Sequence, residues 1–202
     1  MLTGQVFSVM GNVADDAQTA AIIKSADLYL YKKEVGGYRL NTDFKEEKFD
    51  LGRMFGFAYG EKENGAVFSH MTVMYANALY QRGFVKEGYR ALYTLLEQAM
   101  NTPVSLMYPG IPEYFDADGK GKYPYLTGAA SWYMMTVVTQ IYGFRGLWGD
   151  LMIEPKILST QFDALGNFSA EIPYRGQIFS VVYQNPVSYT HLRAHETDSY
   201  LV

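Results

Sequence analysis

Two adjacent segments with helical spacing of apolar residues, joined by only three residues, constrain the fold more than any other feature. They cover about residues 67–83 and 85–100, and each carries apolar residues at the 3.6-residue period of a buried helix face. Because the connection at residues 82–84 contains Gly83 and leaves room only for a tight turn, the pattern predicts an αα-hairpin. The residues expected on the inner faces are Met71, Met74, Ala78, Leu79, Tyr89, Leu92, Leu95 and Leu96.

Two further segments have the same period. Asp15 or Asp16 is placed to cap a helix that runs to about residue 31. A last helix is expected to begin at Thr127 and to end at Gly143. The inner-face residues predicted for these two helices are Ala17, Ala20, Ile23, Leu30, Trp132, Met135, Val138 or Thr139, and Tyr142. The connection over residues 101–127 shows no period, and a structureless connection of that length is usually functional.

Beyond Gly146 the helical period gives way to short segments rich in strand-forming residues. These segments read LMIEPKI, NFSAEIPY and GQIFSVVY, and turn residues separate them. The fold class is therefore mainly α with a β-rich continuation. We predict a helical domain over residues 1–147 and the start of a β domain over residues 148–185.

The last residues, 186–202, follow neither period. Their sequence, PVSYTHLRAHETDSYLV, resembles a translated sequencing adapter, so we expect these residues to be non-native. His191 and His195 stand at helical metal-ligand spacing. Because they fall in this segment, we exclude them and predict no metal site.

Composition narrows the class of protein. The chain has 202 residues with a formal net charge of -4, so no basic excess points to nucleic acid or to an anionic membrane. It contains no cysteine and no stretch of about 20 apolar residues, which fits a cytoplasmic protein without disulfides or membrane spans.

Two short motifs place polar groups at helix starts. KENGAVFSH, residues 62–70, brings Lys62, Glu63 and His70 close together in sequence, just before or at a predicted helix. YLTGAASW, residues 125–132, begins a helix with Thr127 as a cap and Gly128 beside it, which would leave the amides of residues 128 and 129 open to an oxyanion. From the residues alone, each motif is also compatible with ordinary structure: a loop leading into a helix, and close helix packing.

Together these motifs resemble a known family. LTGQVFSVMGNVAD, GYRLNT, GRMFGFAYGEKENGAVFSH, IPEYFD, YLTGAASW and GDLMIEPK occur in the order found in the carboxy-terminal part of the inverting β-glucoside phosphorylases of glycoside hydrolase family 94. The resemblance covers about residues 2–185. It implies the final helices of an (α/α)6 barrel, followed by a truncated β domain.

The resemblance also implies a reaction and residue roles. Inorganic phosphate, the co-substrate, attacks the anomeric carbon of a β-glucoside or β-glucan oligosaccharide and releases an α-sugar 1-phosphate and a shortened acceptor, without any cofactor. His70, Thr127 and Gly128 look like phosphate ligands, whereas Lys62 and Glu63 look like sugar-site residues. The intact family enzyme is compatible with a homodimer.

One part of the family pattern has no counterpart here. The general-acid aspartate and an arginine of the phosphate site are expected amino-terminal to LTGQ, so no residue of this chain is assigned as catalytic. We therefore expect the chain to be a fragment that is inactive alone.

Two other functions stay open from the sequence. An inverting hydrolase on the same barrel would need two carboxylates about 6.5–9.5 Å apart, and Glu63 and Glu113 are the loop candidates. A noncatalytic carbohydrate-binding module would use the aromatic residues without an anion site. The sugar and the linkage are not determined by these motifs.

Overall fold

The computed structural model describes residues 1–108, 110–125 and 127–185. The chain divides into two compact units, Met1–Tyr133 and the part that follows from Met134. The predicted adapter segment, residues 186–202, lies outside the described residues. The predicted domain boundary after residue 147 stays a prediction.

In the part of the chain that the structure describes, the first unit contains most of the helices and five very short strands. Its elements are α1 (Leu2–Met10), α2 (Asp16–Tyr29), β1 (Tyr31–Lys32), β2 (Gly37–Tyr38), β3 (Val67–Phe68), α3 (Ser69–Gln81), α4 (Val85–Met100), α5 (Thr102–Ser105), β4 (Tyr114–Phe115), β5 (Gly121–Lys122) and the start of α6 (Ala129–Thr136). β1 pairs with β2, and β3, β4 and β5 form an antiparallel sheet in that order. We call this second sheet the site sheet.

The predicted αα-hairpin is confirmed. α3 and α4 pack on each other, and Gly83 between them adopts a left-handed φ of +81°. Within α4, a Cβ added at Gly88 would lie 2.7 Å from the ring of Tyr80, so the glycine permits the close approach of the two helices.

The predicted inner face of the hairpin is correct only in part. The fully buried members include Ala78, Leu79, Leu92 and Leu95. Four others are only half-buried, and on α3 burial extends around most of the later turns rather than along one stripe. These four are Met71, Met74, Tyr89 and Leu96.

Helix α2 begins where the sequence predicts. Asp15 accepts from the Gln18 N–H and the Gln18 side chain accepts from the Asp15 N–H, which completes a capping box. The predicted face is wrong at Ala17 and Ala20, which are exposed. It is confirmed at Ile23 and Leu30, which are buried together with Thr19 and Ala26.

The last helix is irregular. α6 continues into a π-helical segment, Val137–Ile141, and Gly143 follows with φ +73°. A Cβ at Gly143 would lie 2.1 Å from the Glu154 backbone, so a glycine is required at this helix end. The predicted inner face is wrong at Met135, which precedes the π-helical segment and is exposed. Thr136, Gln140 and Ile141 are buried instead.

The prediction of a structureless connection over residues 101–127 is also wrong. This segment forms α5, β4 and β5, and its Tyr114 and Phe115 are almost fully buried. Two-residue strands carry no detectable alternation, which is why the sequence pattern missed them.

The second unit contains β6 (Phe144–Leu147), β7 (Asp150–Ile153), β8 (Asn167–Tyr174) and β9 (Gln177–Gln184), arranged as two separate hairpins. β8 and β9 pair over eight residues, and Arg175 and Gly176 turn the chain with φ +50° and +75°. Positive φ at both turn residues matches the right-handed twist of the strands. The prediction of a helix-rich part followed by β structure is confirmed. We call β8 and β9 the terminal hairpin.

Candidate active site

The site sheet brings together three segments that are far apart in sequence. Phe68 pairs with Tyr114, and Tyr114 pairs with Lys122. Because the strands are antiparallel, the end of β3, the start of β4 and the end of β5 lie at one edge. The start of α3, Glu113 and the loop that leads to α6 therefore emerge from the same edge.

The first turn of α3 is anchored by this sheet. The Ser69 N–H, one of the amides that a helix start leaves free, donates to the Glu113 carbonyl oxygen at 2.9 Å. His70 is the next residue, so strand pairing and the first turn of the helix determine the position of its Cα atom.

The structure brings His70 and Gly128 into direct contact. A Cβ built on Gly128 would lie 2.7 Å from Cε1 and 3.0 Å from Nδ1 of the imidazole. The His70 Nε2 atom is buried and has no hydrogen-bond partner within the described residues. A buried ring nitrogen without a partner is costly, so it marks a place where a polar ligand is expected.

Trp132 completes this contact. Its ring centroid lies 5.4 Å from that of His70 at an interplanar angle of 56°. The backbone N–H of Trp132 donates to the Gly128 carbonyl oxygen at 3.0 Å, so the two residues are one helical turn apart. The sequence motif included Trp132, but nothing in its spacing predicted this role.

Thr127 lies one residue before the N-cap position of α6, which Gly128 holds because its carbonyl oxygen accepts from the Trp132 backbone N–H. The Thr127 hydroxyl accepts from the Ala129 N–H at 3.2 Å. This corrects two expectations, since Thr127 is not the N-cap and the residue 129 amide is hydrogen-bonded to its hydroxyl and is not open to an oxyanion. The groups left to consider at this helix start are the Thr127 hydroxyl and the Gly128 backbone.

Burial also affects the protonation state of His70. Removal from water lowers the pKa of the His70 imidazole below its usual value. At neutral pH the ring is therefore mainly neutral, and one of its two nitrogens carries a proton that can be donated.

The side chain of Lys62 lies among the aromatic rings of Phe57 and Tyr123. Its backbone adopts a left-handed φ of +44°, and its Nζ atom lies 4.2 Å from the centroid of Tyr123 and 5.7 Å from that of Phe57. Tyr123 also has positive φ, +54°, and its side chain is exposed. Two strained residues whose side chains meet are typical of a functional site.

Two carboxylates stand near these residues. Glu63 accepts from Arg53 at 2.5 Å through Oε1, whereas its Oε2 is buried without a partner in the described part of the chain. Glu61, which the sequence motifs did not single out, accepts from the Tyr114 hydroxyl at 2.9 Å. Burial and this hydrogen bond raise the pKa of Tyr114 well above its usual value, so the hydroxyl keeps its proton.

A buried amide network fixes the loop that carries Lys62 and Glu63. Asn41 donates to Asn64 Oδ1 at 3.1 Å and accepts from the Gly65 N–H at 2.9 Å. Asn64 in turn donates to the Phe57 carbonyl oxygen at 2.8 Å. Gly65 has φ +80°, and a Cβ there would lie 2.2 Å from the Tyr59 ring. The loop is therefore rigid before any ligand binds.

Glu113, the second carboxylate of the hydrolase alternative, is held through its main chain. Its N–H donates to the carbonyl oxygens of Lys122 and Tyr123, and its own carbonyl oxygen accepts from Ser69. Its partner in that alternative, Glu63, is in an ion pair with Arg53.

Comparison with known proteins identifies the family. The family model described as the catalytic domain of the glycosyl hydrolase 94 superfamily matches residues 1–143. The chain belongs to the glycosyl hydrolase 94 superfamily. The resemblance inferred from the motifs is thereby confirmed.

Similar proteins include three curated phosphorylases. Cellobionic acid phosphorylase of Neurospora crassa is 25% identical over 195 residues, which cover 89% of this chain and 24% of that protein. The N,N'-diacetylchitobiose phosphorylase of Vibrio furnissii is 27% identical, covering 92% of this chain and 23% of that protein. The corresponding Vibrio proteolyticus protein is 25% identical, with 92% and 24% covered. The chain thus spans about a quarter of the length of these relatives.

Two kinds of feature are absent from the described residues. No helix there combines the length and the apolar character needed to cross a bilayer. Nor do three or more His, Cys, Asp or Glu side chains come together there in a way that could hold a metal ion.

Proposed function

We propose that this chain forms part of a glycoside phosphorylase and that it supplies part of the enzyme's phosphate site. The observation that carries this proposal is the contact of the His70 imidazole with Gly128, with Nε2 buried and unpartnered among the described residues. The names of the three similar phosphorylases support the same reaction class.

In the proposed reaction, a phosphate oxygen bonds to the anomeric carbon while the glycosidic C–O bond breaks. The departing oxygen takes a proton from a carboxylic acid, and the configuration at the anomeric carbon inverts. We propose that this acid is an aspartate that the present chain does not supply, so the chain alone is inactive. No cofactor takes part in this scheme.

The residues of this chain bind and orient in that scheme. The protonated nitrogen of His70 and the hydroxyl of Thr127 donate to the phosphate, while Gly128 offers its backbone without a side chain in the way. Charge-assisted hydrogen bonds of this kind contribute roughly 1.5–3 kcal/mol each.

Lys62 and Glu63 are proposed to hold the sugar. The unpartnered Oε2 of Glu63 can accept from a sugar hydroxyl, since Arg53 already binds the other oxygen. Lys62 and the exposed ring of Tyr123 present a cation and an apolar face together, a combination suited to a pyranose. The substrate is proposed to be a β-linked glucoside or β-glucan oligosaccharide.

The geometry favours this function over the hydrolase alternative. His70 meets the start of α6 as a phosphate site requires, whereas one carboxylate oxygen of Glu63 is already in an ion pair with Arg53. Residues 1–147 would then form part of an (α/α)6 barrel, with a β domain beginning at residue 148. The cytoplasmic location and a homodimer of the intact enzyme stay predictions.

The test is phosphorolysis by a protein that carries the complete catalytic domain with this segment. His70→Ala and Thr127→Ala should each raise the KM for phosphate by about ten- to a hundredfold, with a smaller change in the KM for the disaccharide. Thr127→Ser is the matched control and should stay close to the unchanged protein. Disaccharide cleavage that proceeds equally well without phosphate would contradict the proposal and favour hydrolysis.

A further inference from the structure

We propose that Trp132 is a positioning residue of the phosphate site: its indole holds the His70 imidazole against Gly128 so that Nε2 faces the ligand. This inference rests on the proposed function, because it concerns the same phosphate. It assigns a role to a residue that does not itself touch the phosphate.

The first support is the geometry around the imidazole. On one side, the ring atoms of His70 lie so close to Gly128 that a Cβ there would be 2.7 Å from Cε1. The indole of Trp132 approaches the same ring, with 5.4 Å between centroids. Residues one helical turn apart share a face of the helix, so Gly128 and Trp132 approach the imidazole together.

The second support is that no hydrogen bond to any described residue orients the His70 ring. A histidine that must present one nitrogen to a ligand usually has its other nitrogen fixed by a hydrogen bond. The χ2 torsion of histidine is broad, so without such a bond the ring orientation depends on packing. Gly128 limits how close the ring can lie, and Trp132 limits its rotation.

The chain offers a matched control for this residue. It contains two tryptophans, Trp132 and Trp148, and Trp148 is 97% exposed. Trp148→Phe therefore yields a protein whose remaining tryptophan is Trp132, and Trp148→Leu controls for the loss of an indole away from His70.

The first measurement is the affinity for inorganic phosphate, by isothermal titration, of a protein that carries the complete catalytic domain with this segment. Trp132→Leu should weaken binding by about three- to tenfold, the range expected from loss of an aromatic pair. Trp132→Phe keeps a ring against the imidazole and should restore binding to within about twofold. Trp148→Leu should leave the affinity unchanged, whereas His70→Gln should weaken binding by about ten- to a hundredfold.

The second measurement leaves Trp132 itself unsubstituted. In Trp148→Phe, titration with inorganic phosphate should change the emission of Trp132, because phosphate alters the charge and hydrogen bonding of the imidazole that contacts the indole. The same titration with His70→Gln added should give no change. This experiment tests the contact between Trp132 and the phosphate-binding His70 even if Trp132→Leu fails to fold.

The outcomes separate the two proposals. Equal phosphate affinity in Trp132→Leu and the unchanged chain, or a Trp132 emission that saturating phosphate does not alter, would overturn the positioning role while leaving the phosphate site in place. A protein that carries the complete catalytic domain with this segment and does not bind inorganic phosphate would overturn both.

Discussion

The site sheet and the terminal hairpin are both antiparallel, yet they differ in the relation between strand length and burial. The strands of the site sheet have two residues each, and Val67, Tyr114 and Phe115 are nearly or fully buried. The strands of the terminal hairpin have eight residues each, but Ile178 and Val182 are largely exposed. The length of a strand therefore does not indicate whether its side chains are buried or whether its sheet contributes residues to the candidate site.

This difference has a physical cause. A regular hairpin of eight pairs satisfies its backbone through its own ladder and a favourable turn. The short strands instead depend on buried side chains and on neighbouring elements, such as the start of α3, whose Ser69 N–H bonds to the Glu113 carbonyl oxygen. The site is thus built where tertiary packing, rather than local pattern, determines the backbone.

The largest effect should come from removing buried volume in the site sheet. Phe115→Ala deletes a fully buried ring and should lower the free energy of unfolding by about 3–5 kcal/mol. Ile178→Ala, the matched change on the terminal hairpin, removes a side chain that is 72% exposed and should cost about 0.5 kcal/mol or less. Urea denaturation of both variants measures the difference, and equal losses would invalidate the comparison.

A change at the start of α6 should affect ligand binding more than stability. Gly128→Val places carbon atoms where the His70 ring lies and should weaken phosphate binding by about ten- to a hundredfold. Gly4→Ala is the control, because a Cβ there meets nothing within 4 Å. Calorimetric titration with inorganic phosphate gives the affinities; a Gly128→Val protein that binds normally would show that the contact is irrelevant to the ligand.

The next largest effect should be the loss of stability when the buried amide network of Asn41 and Asn64 is broken. Asn41→Ala leaves the buried Gly65 N–H and the Asn64 Oδ1 atom without the Asn41 partner, at a cost of about 1–3 kcal/mol. Asn167→Ala on the terminal hairpin removes a side chain for which no hydrogen bond to a described residue is present, and it should be nearly neutral. Thermal and urea unfolding would test this, and a large loss in Asn167→Ala alone would reverse the expected order.

The smallest effect is a dependence of stability on pH. Because burial lowers the pKa of His70 in the folded chain, the unfolded chain binds more protons in the window just below the usual value of 6.5. Without phosphate, the free energy of unfolding should fall as the pH drops through that window and should level off above it. His70→Gln should remove this part of the dependence; an identical pH profile for the variant would contradict a neutral, buried imidazole.

Part of the fold follows from the sequence. The αα-hairpin, the Asp15 cap and the strands NFSAEIPY and GQIFSVVY all have long periodic patterns or explicit caps and turns, and each is found close to its predicted bounds. A periodic pattern over many residues still identifies its helix or strand when tertiary packing turns one or two side chains away from the expected face.

The site was only partly predictable, because several of its contacts depend on segments too short to show a periodic pattern. His70, Thr127 and Gly128 were accessible through the motif resemblance, and the structure brings His70 and Gly128 together. The contacts of Trp132, Glu61 and Tyr123 depend on pairing between strands of two residues, which no period reveals. Residues brought together by such packing leave no signal in a single sequence.

The most direct test of the central claim is the response of the His70 ring nitrogens to inorganic phosphate, measured by nitrogen-15 NMR on the histidine-labelled chain. His70 is one of three histidines, and its signals are assigned by their loss in His70→Gln. A saturable shift of the His70 Nε2 signal with phosphate, and none with chloride at equal ionic strength, is the predicted result. No shift at phosphate concentrations that saturate the protein, or equal shifts with both anions, would contradict the placement of phosphate at His70.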